Sequence, residues 1–117
     1  MTSRVTIFHN PGCSTSRKAL EAIRAAGLQP EVVEYLKVGW TLPQLKGLLQ
    51  AMNARPREIL RVRGTPAEDL GLTDPSVSEN DILAAMTRHP ILVERPIVVT
   101  SKGTVLARPV EKLTDYL

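Results

Sequence analysis

This chain has very little that could cross-link, stack or span. Its 117 residues include a single cysteine, Cys13, so no disulfide can close within it. Only one Phe, one Trp and two Tyr are present. That is too few for a surface that binds nucleic acid by stacking its bases. No apolar run approaches the roughly 20 residues that span a bilayer, and no secretory leader is visible. Its two histidines, His9 and His89, lack metal-ligand spacing, so no metal site is expected. Charge of neither sign dominates: 15 Lys and Arg stand against 12 Asp and Glu, for a formal net charge of +3. Such an excess suits anionic ligands without indicating a polyanion. These absences point to a reducing, cytoplasmic setting with no membrane or nucleic-acid partner.

What is present is one domain's worth of chain with 43% hydrophobic residues, enough for a core. Val5 to Phe8 reads as a buried strand, residues 16–26 as a helix ended by Gly27, and Glu31 to Tyr35 as a second strand. This βαβ unit implies parallel pairing. Residues 41–88 then read as a helical block. Thr41 and Gln44 have the spacing of a capping box before Leu42, Leu45, Leu48, Leu49 and Met52. Pro56 to Arg61 suggests a short helix, and Ser78 caps another carrying Ile82, Leu83 and Met86. Strand patterns resume at Pro96–Thr100 and Thr104–Arg108, with Lys102-Gly103 expected as the hairpin turn. Pro109 fits the first turn of a closing helix. Because strands return after the block, it is expected as an insert in one domain spanning 1–117.

The stretch from His9 to Arg17, His-Asn-Pro-Gly-Cys-Ser-Thr-Ser-Arg, is where chemistry concentrates. A cysteine between a strand and a helix start faces unpaired N–H groups and the positive end of the helix dipole. Both favour the thiolate, which is the nucleophilic form. A lone cysteine is often only a small buried hydrophobe, but the polar neighbours of Cys13 argue against that here. Arg17 adds charge, Ser16 a hydroxyl, and His9 either an electrostatic influence or a loop contact. With no second cysteine, a resolving thiol has to come from outside the chain.

The same stretch resembles the HNPxCxTSR signature of the glutaredoxin-coupled arsenate reductases, the ArsC family. The segment from His89 to Val99, His-Pro-Ile-Leu-Val-Glu-Arg-Pro-Ile-Val-Val, resembles that family's HPIL-x-x-RPIVV stretch. Ala107-Arg108-Pro109 matches its later Arg-Pro, and Leu60-Arg61 falls where it carries a third arginine, with Arg63 close by as the competing position. Three motifs in order make a specific signal. The resemblance implies an α/β, thioredoxin-like fold (βαβ–ββα) with an inserted helical block. It implies Cys13 as nucleophile, Arg61, Arg95 and Arg108 as oxyanion-binding residues, His9, Ser16 and Arg17 as thiolate-tuning neighbours, and Pro96 as a cis-proline facing the thiol. It further implies arsenate as substrate, glutathione as co-substrate with no bound cofactor, and glutaredoxin as partner to a monomeric enzyme. Two alternatives stand beside it: a thiol-stress regulator of the same fold that binds RNA polymerase, and another glutathione-dependent thiol reductase. The regulator uses a CxxC switch, and Cys13-Ser14-Thr15-Ser16 lacks its second cysteine.

Overall fold

The computed structural model describes residues 4–117. The chain forms two compact units, one from residues 4–38 and 95–117, the other from residues 39–94.

In the first unit β1 (Thr6–Phe8) leads into α1 (Ser14–Ala25), then β2 (Glu31–Val33) and a single-turn helix, α2 (Tyr35–Val38). After residue 94, β3 (Ile97–Thr100) and β4 (Gly103–Leu106) follow, and a 3-10 helix, Val110–Tyr116, closes the chain. The sheet order is β2-β1-β3-β4, with β1 parallel to β2 and antiparallel to β3. This is the thioredoxin-like order that the sequence leads one to expect. The burial pattern explains the arrangement. α1 places Ser16, Ala19 and Ile23 on one buried face, at the three- and four-residue spacing of a helix. Ile7, Val98, Val105 and Leu113 pack with that face into one core. Each such aliphatic side chain contributes about 1.5–3 kcal/mol when fully buried.

Four local expectations change. α1 starts at Ser14 rather than residue 16, so Cys13 itself is the N-cap. The second strand ends at Val33, and Tyr35 opens α2 with its ring fully buried. Backbone N–H groups of Lys37 and Val38 donate to Glu34 O, and Gly39 at φ +74° stops the turn. The hairpin turns at Ser101-Lys102, one residue earlier than expected, because Gly103 already pairs with Thr100 in β4. Gly103 lies at φ +143°, where a Cβ would stand 3.1 Å from Tyr116 Cε1. Close approach and backbone angle together select glycine inside the strand. Finally, the closing helix is 3-10, and Pro109 stands at its N-cap rather than in its first turn.

The second unit is helical. α3 (Leu42–Met52) carries the full capping box: Gln44 N–H donates to Thr41 Oγ1 and Thr41 N–H donates to Gln44 Oε1. Such a cap contributes about 1 kcal/mol. A 3-10 turn, Pro56–Ile59, precedes α4 (Glu79–Arg88), whose cap is Ser78 Oγ accepting from Asp81 N–H. His89 is the C-cap residue of α4. Leu45, Ile59, Ile82, Met86, Leu92 and Val93 are fully buried. Between the helices, Arg57 donates from both Nη atoms to the carbonyls of Asp74 and Val77, fastening the irregular 64–77 segment.

Candidate active site

The site grows out of the end of β1. His9 N–H donates to Val33 O, extending the β1–β2 ladder by one rung. Asn10-Pro11-Gly12 then makes a tight turn, closed by Cys13 N–H donating to Asn10 O at 3.0 Å. Asparagine at the first position and proline at the second are the residues such a turn favours. The turn delivers Cys13, which is buried, to the N-cap of α1.

The arginines arrive through sheet register. β3 and β4 pair Ile97 with Leu106. Arg95 lies two residues before Ile97 and Arg108 two residues after Leu106, so antiparallel pairing sets them opposite each other. Ala107 N–H donates to Pro96 O between them, continuing the ladder. Phe8 of β1 pairs with Ile97, which brings this end of the hairpin beside the loop that follows β1. Arg108 Nη1 donates to Arg95 O at 3.2 Å and approaches Cys13 Sγ at 3.7 Å. Nε and Nη1 of Arg95 are buried and make no hydrogen bond within the protein. A guanidinium desolvated without an acceptor is costly unless an anion completes it. The Arg95-Pro96 bond is cis, and so is Arg108-Pro109. The sequence reading singled out only Pro96 of these two.

Burial alone would push the Cys13 thiol up. The backbone N–H of Ser16, then the side chains of Arg95 and Arg108 and the charge of Arg95, outweigh it and bring the thiol below its ordinary range. The thiolate fraction should therefore persist to lower pH than in an ordinary thiol, which titrates near about 8.5. Alkylation of Cys13 followed across a pH series checks this. The rate should rise at a lower pH than for a free thiol, and an unshifted profile contradicts the electrostatics.

The thiolate-tuning candidates divide. Ser16 is wholly buried, its Oγ accepts Asn10 N–H at 3.1 Å, and it shares a 2.7 Å hydrogen bond with His9 Nδ1. Burial lowers the pKa of His9, with Arg24 and Arg17 adding to the effect and Glu34 opposing it. His9 is thus neutral at neutral pH and orders the loop through its hydrogen bond. Arg17 is exposed and donates from Nη1 to Pro11 O at 2.7 Å, bracing the turn. Arg61 belongs to the helical unit, where its Nη1 donates to Glu94 Oε1 at 2.8 Å, while Arg63 is exposed. Backbone bonds from Arg61 N–H to Leu92 O and from Glu94 N–H to Ile59 O flank that ion pair. Among the described residues no group of His, Cys, Asp or Glu could hold a metal ion, and no helix is long and apolar enough to cross a membrane.

The sequence pattern of the ArsC family matches residues 8–116. The chain belongs to that family. A relative, arsenate reductase ArsI2 of Synechocystis sp., is 50% identical over 113 residues, covering 97% of this chain and 81% of the relative. The arsenate reductase of Escherichia coli K12 is 42% identical over 115 residues, covering 98% and 82%. Among solved structures, an arsenate reductase from Vibrio cholerae superposes with a TM-score of 0.94 at 35% identity, covering the whole of both chains. One residue of this loop, Asn10, holds the turn through three hydrogen bonds and was absent from the sequence-based set. Its signal was its place at the head of an Asn-Pro-Gly turn leading into the cysteine.

Proposed function

We propose that this chain is an arsenate reductase that takes its electrons from glutathione and is reset by glutaredoxin. The observation that carries the reading is the meeting of a stabilised Cys13 thiolate with two arginines, one of them holding buried, unpaired donors. Arsenate is a tetrahedral oxyanion, and planar guanidinium forks match its oxygens. Arg95 and Arg108 serve as its receptor, and the family resemblance supports Arg61 as a third.

Cys13 Sγ attacks arsenic(V) and forms an S–As bond as an arsenate hydroxyl takes up a proton and leaves as water. The arginines hold the charge on the remaining oxygens. A glutathione thiol displaces a second oxygen in the same way. The two sulfurs then join as a Cys13–glutathione disulfide, and their two electrons pass to arsenic, which leaves as arsenite. A glutaredoxin thiol takes the glutathione from Cys13 by thiol–disulfide exchange and restores the thiolate. The cycle belongs to a reducing, cytoplasmic setting and needs only a monomer with no bound cofactor. A coupled assay tests it. Arsenate should drive thiol consumption when glutathione and glutaredoxin are both supplied, and no arsenite above the enzyme-free rate would overturn the reading.

A further inference from the structure

We infer that Asn10 is a positioning residue for the nucleophile, and that its amide serves there because it supplies a carboxylate-like acceptor without a negative charge. This deepens the reading of Cys13 as the reacting thiol and rests on it.

Asn10 is buried, and three of its polar groups are fixed to three different points of the loop. Oδ1 accepts Gly12 N–H at 2.9 Å. The backbone carbonyl accepts Cys13 N–H at 3.0 Å. The backbone N–H donates to Ser16 Oγ at 3.1 Å, inside the first turn of α1. The residue therefore links the end of β1, the turn and the helix start, the three segments that determine where Cys13 Sγ lies. Two of these bonds are backbone bonds that another residue would keep. The bond from Gly12 N–H to Oδ1 is specific to the side chain, and it closes an Asx turn over Pro11.

Aspartate would make the same turn, since its carboxylate accepts as well as an amide. In this loop, however, it would place a negative charge three residues from a thiolate, in a site meant for a multiply charged anion. Like charge disfavours ionisation of the thiol and binding of the oxyanion. Asparagine separates the two properties. Its position is also sensitive to geometry, because Cys13 must keep both the Ser16 N–H and the arginines in reach of its sulfur.

Two variants distinguish this role from simple loop stability. Asn10→Ala removes the Gly12 contact, and its kcat should fall roughly 10-fold to 100-fold, as for a nucleophile displaced by a fraction of an ångström to an ångström. Asn10→Asp retains the turn, so the protein should fold as wild type by circular dichroism. Its Cys13 alkylation profile should nevertheless move to higher pH and its KM for arsenate should rise. The alkylation profile needs no arsenate, so it reports on Asn10 even if the substrate assignment fails. Should Asn10→Asp keep both the wild-type alkylation profile and the wild-type KM, the inference is overturned, whatever Asn10→Ala does.

Discussion

Replacing Cys13 by serine should bring arsenate reduction down to the rate measured without enzyme. Cys13 is the only thiol in the chain, so no neighbour can take over as nucleophile. A serine hydroxyl stays protonated at neutral pH and cannot form the disulfide through which electrons leave the enzyme. The substitution should also leave the fold intact. Cys13 is the N-cap of α1, a position where serine ranks among the preferred residues. The loss should therefore appear as absent turnover with an unchanged thermal transition. Turnover near the wild-type rate would refute a mechanism built on this thiol.

Arg95→Lys and Arg108→Lys should each lower kcat/KM for arsenate by at least tenfold. Lysine keeps the charge but loses the planar fork. Removing one charge-assisted contact costs about 1.5–3 kcal/mol, and tenfold corresponds to about 1.4 kcal/mol. Both side chains also hold the Cys13 thiol down, so the acid limb of alkylation should move upward in each variant. Arg108 has a further duty, since its Nη1 ties the Arg95 carbonyl. Its replacement should therefore disturb Arg95 as well, and the double variant should lose less than the product of the single losses. Full kcat/KM in both single variants would make these arginines structural.

The sequence made the nucleophile legible because its setting is local. A cysteine between a buried strand and a helix start can be read from nine consecutive residues. The pairing of Arg95 with Arg108 could be expected from family motifs, but its physical cause is hairpin register. A one-residue slip would turn their side chains to the other face. The expected turn at Lys102-Gly103 lies one residue late, which would offset the pairing by two residues and set Arg108 opposite Ile97 instead of Arg95. Gly103 was read as a turn glycine, whereas it is a strand residue selected by the Tyr116 ring. Glu31 to Tyr35 reads as one strand, yet the backbone folds to Glu34 O and buries the Tyr35 ring in α2. His9 offered two readings from sequence, charge or loop order. Only burial and the Ser16 hydrogen bond separate them. Asn10 went unassigned because its contribution lies in who accepts from whom around one turn, which residue types alone do not specify.

A lone, arginine-stabilised Cys13 that reduces arsenate with electrons from an external thiol must carry that thiol as a disulfide within each cycle. Intact-mass measurement of the enzyme tests it most directly. After addition of arsenate and glutathione, the protein should gain the mass of one glutathione, on Cys13. That mass should disappear when reduced glutaredoxin is supplied, and arsenite should accumulate in step with the cycle. Repeated turnover with thioredoxin alone, in the complete absence of glutathione and with no adduct on Cys13, would contradict it.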